Sequence, residues 1–421
     1  MFIYVVKPGD SLYSIAVMYQ VNMDSIRIMN GLTTDSLVPG QDLLIPTNMY
    51  TVQPGDTLFL ISKMSFIPIE TIRLYNGLQS DFLMVGMTLY LPPPPKYSAE
   101  NLSYMYPTTP EQDELIIRTF APINTFLAMF EYHILEGGTL STLNDEFAIQ
   151  TARNNGVAPV ATITNLTTEG FSPEVTRQVL TFPDQRDLLI DNIYNLVISK
   201  NYAGVNIDFE RVREEERDLY SDFLRLVSDR LKPEGYSVSA AVPAKTSEDI
   251  PWLKGYDFGG IGAAVDFIFI MAYDWHVPTM EPGPVAPIDE VRKSIEFALQ
   301  HMNREKIMLG VPRYGYEWTL DDDGNVISGR AVSVSGATQL ALNYQVPIQY
   351  SLEYEQPFFI YWDENGNQNI VWFENAQALT AKLQLVIDYQ LMGVGAWQLG
   401  LGFPQSFYLI NYLFDTRHII Y

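Results

Sequence analysis

Apolar and polar residues alternate strictly over residues 204–210, in the middle of the chain. The apolar positions are Val205, Ile207 and Phe209, and the polar positions are Asn206, Asp208 and Glu210. A period of two predicts a β-strand with one core face and one polar face. Residues 187–198, just before it, have apolar side chains at helical spacing, so a helix leads into this strand. That order is typical of α/β barrels, in which the carboxyl ends of the strands carry the catalytic residues.

Strand-like and helix-like segments continue to alternate from Leu102 onward. They predict eight strands, which we place near residues 102–106, 125–132, 157–163, 202–208, 236–242, 266–272, 307–312 and 393–398. Eight βα units predict a (β/α)8 TIM barrel of the α/β class. Residues 319–375 are too many for a βα loop. Their short strands and polar turns predict an insertion in the barrel.

The first 92 residues contain a repeat, because residues 4–12 match residues 50–58 without a gap. Each copy has a short apolar strand, a Pro-Gly turn, two short helical patterns and a closing strand. The pattern predicts two small βααβ modules. Asp10 and its equivalent Asp56 are the predicted N-caps of the first helix in each copy, because a carboxylate accepts hydrogen bonds from first-turn N–H groups.

Four prolines at residues 92–95 form a polyproline stretch, which is a stiff and extended spacer. We therefore expect this stretch to hold the repeats apart from the barrel. The predicted domains are repeat 1 at 1–47, repeat 2 at 48–93, a Pro-rich linker at 94–101, and the barrel at 102–421 with its insertion at about 319–375.

Composition narrows the partners and the chemistry. The chain has 26 Lys and Arg against 50 Asp and Glu, a formal net charge of −24, which argues against nucleic acids and anionic membranes as partners. It has no cysteine and only four scattered histidines, so neither a metal nor another cofactor is expected. The N-terminus lacks the pattern of a cleavable signal peptide, and no apolar run reaches 18 residues, so no membrane span is expected.

The polar face of the strand at 204–210 presents two carboxylates. Asp208 and Glu210 lie two residues apart, roughly 6–7 Å along a strand, so each carboxylate can change the proton affinity of the other. Such pairs divide acid and base roles in enzymes. The alternative is an ordinary amphipathic strand with its polar face in water.

Residues 204–210, Gly-Val-Asn-Ile-Asp-Phe-Glu, resemble the Asp-Gly-x-Asp-x-Asp-x-Glu signature of glycoside hydrolase family 18. These are chitinase-like (β/α)8 barrels. Ala203 and Asn206 replace two family aspartates, which puts a proton relay deeper in the barrel in doubt. The resemblance implies that Glu210 is the general acid/base and that Asp208 assists it. It also implies substrate-assisted, retaining hydrolysis, in which the 2-acetamido group of N-acetylglucosamine is the nucleophile.

Three later segments carry the same resemblance. Residues 271–274 match the family's Met-x-Tyr-Asp motif, residues 310–318 are similar to its Gly-x-Pro-x-Tyr-Gly segment, and residues 393–399 match the segment that supplies a tryptophan floor. A small α+β insertion is also frequent in the family. The resemblance implies a catalytic role for Tyr273, and it implies that Trp318 lines the wall of the substrate cleft. The implied substrate-binding residues are Asn206, Met271, Asp274, Tyr314, Tyr316 and Trp397. Without the resemblance, core packing is an equal or better explanation of the aromatic residues and Met271.

The two repeats resemble LysM domains, with Tyr-x-Val-x-x-Gly-Asp-[Ser/Thr]-Leu and Asn-Gly-Leu in both copies. LysM domains bind glycans that contain N-acetylglucosamine, such as peptidoglycan or chitin. Two weak sites on one chain would add avidity on a polymer, although a spacer role is the alternative. The implied glycan-binding residues are Gly9, Asp10, Ser11, Leu12, Asn30 and Gly31 in the first module, and Gly55, Asp56, Thr57, Leu58, Asn76 and Gly77 in the second.

The combination is most similar to the spore cortex-fragment hydrolases of endospore-forming bacteria. It implies an N-acetylglucosaminidase that acts on cortex peptidoglycan during germination, located in the spore coat or cortex without a cleavable signal peptide. A chitinase and a non-catalytic glycan-binding protein of the spore surface are the alternatives, and the presence of Glu210 favours an enzyme. The sequence leaves open exo or endo cleavage, cortex or vegetative wall, intact sacculi or fragments, and the oligomeric state.

Overall fold

The computed structural model of the protein describes residues 1–419. The chain begins with two βααβ modules of matching layout. The first module contains β1 (Phe2–Val5), α1 (Leu12–Met18), α2 (Met23–Asn30) and β2 (Asp42–Ile45). The second contains β3 (Met49–Thr51), α3 (Leu58–Ser65), α4 (Ile69–Asn76) and β4 (Thr88–Tyr90). The outer strands pair antiparallel in each module, and one apolar core runs through both modules.

The predicted N-caps at Asp10 and Asp56 are wrong. The helices begin one residue later, where Ser11 and Thr57 accept hydrogen bonds from the backbone N–H three residues on. Asp10 already accepts from the Lys7 backbone N–H at 2.8 Å and from a tyrosine hydroxyl at 2.6 Å. The carboxylate closes the Pro-Gly turn, so the hydroxyl that follows it takes the cap position.

The rest of the chain starts with β5 (Tyr97–Ala99) and builds a barrel. The first half contains β6 (Leu102–Met105), α5 (Pro110–Phe120), β7 (Phe126–His133), α6 (Glu146–Asn154), β8 (Ala158–Thr164), the hairpin strands β9 (Leu166–Thr167) and β10 (Gly170–Phe171), α7 (Pro173–Thr181) and α8 (Pro183–Ser199). It continues with β11 (Gly204–Asp208), α9 (Arg217–Leu231), β12 (Ser237–Pro243), α10 (Phe258–Ala264), β13 (Phe267–Met271), α11 (Ile288–His301) and β14 (Ile307–Pro312).

An antiparallel sheet with one helix separates the seventh barrel strand from the eighth. It contains β15 (Tyr314–Leu320), β16 (Val326–Ser333), α12 (Val334–Tyr344), β17 (Gln349–Ser351), β18 (Gln356–Trp362) and β19 (Gln368–Trp372). The chain then returns to the barrel through α13 (Ala376–Asp388), β20 (Gly393–Trp397), α14 (Pro404–Leu413) and β21 (Phe414–Thr416). The last of these strands pairs in parallel with β5.

Eight parallel strands close into a barrel in the order β6, β7, β8, β11, β12, β13, β14 and β20, with β20 beside β6. The predicted (β/α)8 fold with an α+β insertion and two preceding modules is therefore confirmed. The alternation in β11 has the expected effect, because Val205 and Ile207 pack in the layer between strands and helices. A second apolar cluster, which includes Tyr104 and Phe269, fills the barrel interior.

The expectation that the polyproline stretch holds the repeats apart from the barrel is wrong. The first module packs directly on the barrel, and Val38 and Leu44 join the apolar layer of the barrel. Gln405 of α14 donates to Asn30 at 2.9 Å, and Asp42 accepts from a backbone N–H of α13 at 3.0 Å. This contact buries apolar surface of the first module, which favours docking on the barrel. A stiff linker between the second module and the barrel does not prevent it.

Candidate active site

The carboxyl end of β11 places three of the predicted residues at one end of the barrel. Asn206 and Asp208 are buried in the barrel, and Glu210 follows β11 at the rim, where it is partly exposed. Parallel strands bring their carboxyl ends to the same edge, so Met271 at the end of β13 and Trp397 at the end of β20 lie at this rim as well.

Asn165, the residue after β8, holds the backbone of Glu210. Its Oδ1 accepts from the Glu210 N–H at 2.9 Å, and its Nδ2 donates to the Glu210 carbonyl at 2.7 Å. The same Nδ2 donates to the Thr176 hydroxyl at 2.8 Å, and the Asn165 side chain is fully buried. The position of Glu210 is therefore fixed from a neighbouring βα unit.

Both carboxylates at the end of β11 hold protons more tightly than usual. Burial raises the pKa of Glu210 to about 8, the charges of Asp208 and Asp274 raise it as well, and Arg211 opposes them. Burial raises the pKa of Asp208 to about 7, with the charge of Glu131 as the second cause. At neutral pH the Glu210 carboxyl group is therefore protonated and able to donate a proton.

Asp274 and its tyrosine partners form a second polar group at the rim. The hydroxyls of Tyr314 and Tyr316 donate to Asp274 Oδ1 at 2.6 and 2.8 Å. Burial raises the pKa of Asp274, while these two hydrogen bonds lower it. Tyr273 is partly buried, and its ring contacts the Tyr314 ring with centroids 6.3 Å apart. The segment that follows β13 therefore contacts β15, which continues from the seventh barrel strand.

An aromatic floor lies under the same end of the barrel. Trp397 is partly buried and packs edge-on against Phe130, Tyr104 and Tyr106, with ring centroids 4.6, 5.4 and 6.0 Å apart. The expectation that Trp318 walls the cleft is wrong. Its side chain is fully buried, and its indole Nε1 donates to a backbone carbonyl at 3.3 Å. Trp318 lies on the same face of β15 as Tyr314 and Tyr316, but it is covered by Val277 and Val285 in one apolar cluster.

Asn206 occupies a position where the family signature has an aspartate, and its amide is fully used. The Tyr104 hydroxyl donates to Asn206 Oδ1 at 2.8 Å, and Asn206 Nδ2 donates to the Ser239 hydroxyl at 2.9 Å. Ala203 lies in the apolar interior of the barrel. The position below Asp208 therefore carries a neutral, hydrogen-bonded amide in place of a carboxylate.

Two residues at this end of the barrel, Asn165 and Glu131, belong to none of the sequence motifs. Asn165 directly follows β8 and Glu131 lies in β7, whereas the signature motif lies on and just after β11. The signal available in the sequence was a polar residue at or just after a predicted barrel strand. Asn165 is such a residue, because it directly follows β8. Glu131 is the one charged residue in the predicted strand at 125–132.

The predicted glycan-binding residues after the first strand have roles within the module. In the first module Gly9 has a φ of +89°, Asp10 closes the turn, Ser11 caps α1 and Leu12 lies in the core. Residues 55–58 repeat each of these roles in the second module. The structure brings these residues together at the start of the first helix.

The two Asn-Gly pairs differ in their surroundings. Asn30 and Asn76 both hold the last strand of their own module through its backbone. Gly31 lies against Pro404 of α14, where an added Cβ atom would come 2.4 Å from the ring. No atom lies within 4 Å of the same position at Gly77. The loop around Gly31 is therefore covered on one side, whereas that around Gly77 is open.

Within residues 1–419, no group of three or more histidine, cysteine or carboxylate side chains is arranged to hold a metal ion. Over the same residues, no helix is long and apolar enough to cross a membrane.

Two family models match this chain. The model of glycosyl hydrolases family 18 matches residues 103–402, and the LysM domain model matches residues 4–46 and again residues 50–92. The first match covers the barrel strands and the whole candidate site.

Full-length relatives are similar over the same span. The protein YdhD of Bacillus subtilis (strain 168), whose name describes a sporulation-specific glycosylase, is 47% identical over 421 residues and is covered over 100% of both chains. The cortical fragment-lytic enzyme of the same strain is 40% identical over 427 residues, with 99% of each chain covered. The crystal structure of the Bacillus cereus spore cortex-lytic enzyme SleL superposes with a TM-score of 0.90 at 34% identity and covers 99% of both chains.

Proposed function

This chain belongs to glycosyl hydrolase family 18 and carries two LysM domains, and we propose that it hydrolyses β-linked N-acetylglucosamine bonds in peptidoglycan. The proposed reaction is retaining and substrate-assisted. Glu210 is its general acid/base, and Asp208 and Tyr273 orient and stabilise the reacting acetamido group.

The observation that carries this proposal is the position of Glu210 at the carboxyl end of β11, two residues after the buried Asp208 and held on both sides of its backbone by Asn165. Burial also favours the protonated form of Glu210. Its pKa of about 8 keeps a proton on the carboxyl group, and a general acid is most effective when its pKa lies near the working pH. The Asn165 clamp supports the same role, because a catalytic acid has to be held in one direction.

The proposed chemistry needs two steps. In the first, Glu210 gives its proton to the glycosidic oxygen, the C1–O bond breaks, and the acetamido oxygen of the same sugar bonds to C1. The product of this step is an oxazolinium ion. In the second, water attacks C1 and gives a proton to the Glu210 carboxylate, and the ring opens with retained configuration.

The surroundings of Glu210 suit a cationic intermediate. Asp208 and Asp274 are the carboxylates whose charges raise the pKa of Glu210. A negative charge next to the oxazolinium ring lowers the energy of this cation. The faces of Trp397 and its aromatic neighbours suit the apolar side of a pyranose ring. We assign Met271, Asp274, Tyr314, Tyr316 and Trp397 to the substrate pocket on these grounds.

The proposed substrate is spore cortex peptidoglycan, in the form of fragments released during germination. The names of the relatives support this choice, because two of them describe cortex-lytic enzymes. The same names support a location in the spore, which we propose for this chain. We propose that the second LysM module is the main polymer-binding module, because its Asn-Gly loop is open while that of the first is covered by Pro404.

The experiment is digestion of purified cortex fragments by the full chain, followed by identification of the new reducing ends. We expect reducing N-acetylglucosamine in the β configuration, and no product from Glu210→Gln. Reducing N-acetylmuramic acid, or the α configuration, would overturn the assignment of bond or mechanism. Fragments that lack the acetyl group on the reacting sugar should resist cleavage. Faster cleavage of chitin oligomers than of cortex fragments would favour a chitinase.

A further inference from the structure

Two carboxylates at the mouth of the barrel, the buried Asp208 and the partly buried Glu131, each have an oxygen without a hydrogen-bond donor. Asp208 ends β11 and is 4% exposed, and its Oδ1 has no partner among the described residues. Glu131 lies near the end of β7, and its Oε2 is likewise buried and without a partner there. Unpaired buried carboxylates are costly when both are ionised, so such a pair tends to keep one proton.

The parallel register places the two carboxylates at neighbouring levels of the barrel, because Glu131 lies two residues before His133, in the irregular part of β7. Thr164 of β8 is the partner of His133 in β7 and of Asp208 in β11. The Thr164 hydroxyl also lies against Glu131. Burial raises the pKa of Tyr106 to about 12, and the charges of Glu131 and Asp208 raise it as well.

We propose that Glu131 is a positioning residue that shares one proton with Asp208 and accepts that proton when positive charge develops on the substrate's acetamido group. This inference rests on the proposed function. One O–H bond of Asp208 breaks and one O–H bond of Glu131 forms, so Asp208 becomes the anion beside the oxazolinium ion. The charge of the pair stays at −1 throughout. The role needs a carboxylate on a strand other than β11, because Asn206 below Asp208 cannot accept a proton.

Other titratable groups around the pair do not replace this role. His133 Nε2 lies 3.6 Å from Glu131 Oε1 and lowers the pKa of Glu131, which burial raises. The remaining titratable and charged groups that act on the pair or on Glu210 are Tyr104, Tyr106, Glu210, Arg211, Tyr220, Tyr256, Tyr273 and Asp274. Burial raises the pKa of each of the tyrosines, so they stay neutral over the working range.

The test is Glu131→Gln in the full chain, with kcat and KM measured on cortex fragments from pH 5 to 9. We expect kcat to fall about 10- to 100-fold, as for loss of a proton-transfer partner, with KM changed less than about twofold. We also expect the inflection near pH 7 to move to lower pH, because Asp208 loses the neighbouring charge. Glu136→Gln on the exposed loop after β7 is the matched control and should behave as the parent chain.

A pH profile that only scales down, with its inflection in place, would overturn the proposal in favour of a packing role. An unchanged kcat would overturn it as well. The pair Asp208→Asn and Glu131→Gln/Asp208→Asn gives a second test, and if Glu131→Gln folds poorly, Glu131→Asp replaces it in both comparisons. Asp208→Asn has no carboxyl proton to pass on, so adding the substitution at Glu131 should change kcat less than about twofold. A further tenfold loss of kcat would overturn the proposal. An inactive parent chain, or an active Glu210→Gln, would instead contradict the proposed function itself.

Discussion

Asn165 binds the peptide of Glu210 on both sides, accepting from its N–H at 2.9 Å and donating to its carbonyl at 2.7 Å. The two residues lie 45 positions apart in the chain and follow neighbouring barrel strands. The direction in which the Glu210 side chain leaves the barrel rim is therefore set by a side chain that need not contact substrate.

Replacement of Asn165 by alanine should lower kcat by about 10²-fold, since small misplacement of a catalytic group has effects of this size. KM should change little, because the substrate pocket keeps its side chains. The control is Asn124→Ala, because Asn124 is equally buried and hydrogen-bonded but precedes β7, at the opposite end of the barrel. A similar loss of kcat in both variants, measured on soluble fragments, would show a general loss of structure instead.

Glu210→Gln should lower kcat by at least the 10²–10⁴ typical of general acid catalysis, and glycan binding should remain. The amide keeps the shape of the side chain but cannot donate a proton to the glycosidic oxygen. Asp208→Asn should be slowed less completely. Turnover by the variants is measured on cortex fragments, and Glu215→Gln, an exposed neighbour, serves as the control. Normal turnover by Glu210→Gln would exclude this acid.

Activity should fall as the pH rises through about 8, because Glu210 loses the proton that it donates. The measurement is kcat/KM against pH, which reports the free enzyme. An alkaline limb that stays in place when Glu210 is replaced, in a variant with residual activity, would assign the limb to another group.

The stability of the fold should depend on pH through the same protonation of Glu210. The folded state raises the pKa of Glu210 above its unfolded value, so the neutral carboxyl stabilises the fold at low pH, and this contribution is lost as the pH rises through the folded value. Glu210→Gln should therefore unfold at a higher temperature than the parent chain at pH 9, with a difference that shrinks towards pH 4. Thermal unfolding at both pH values measures it, and an opposite trend would contradict the raised pKa.

The docking of the first module can be tested with a matched pair of glycines. Gly40 and Gly86 have the same φ of +85°, but a Cβ atom at Gly40 would come 1.7 Å from the Ile348 carbonyl oxygen, whereas Gly86 has open space. Alanine at either position has the same backbone strain. Gly40→Ala should cost roughly 1–3 kcal/mol more in free energy of unfolding than Gly86→Ala, the usual range for overpacking. Equal losses in urea titrations would mean that the interface opens at no cost.

Local patterns in the sequence predicted the barrel because they depend on neighbours in the chain. The alternation at Val205 and Ile207 is such a pattern, and so is the repeat of the modules. The helix caps were predicted one residue early, since the sequence does not reveal that Tyr4 and Lys7 already hold Asp10. Because these hydrogen bonds already use the Asp10 carboxylate, the next residue caps the helix.

Contacts between distant segments could not be predicted in this way. Asn30 and Gln405 are 375 residues apart, and no spacing rule connects them. The repeat even predicts the opposite of what occurs, because Val38 and Leu44 are buried on the barrel while their equivalents Met84 and Tyr90 are exposed. Glu131 was missed for the same reason, since its partner lies two strands away.

The modules share one core, and the first of them is fixed to α14, so no flexible tether separates the second module from the barrel mouth. The gap between the second module and the barrel mouth then has a fixed length. Glycan strands shorter than this gap should be cut at the same rate with or without the modules. Strands that reach across it should gain the whole benefit of dual attachment at once, so the rate against strand length should rise as a step and not as a slope.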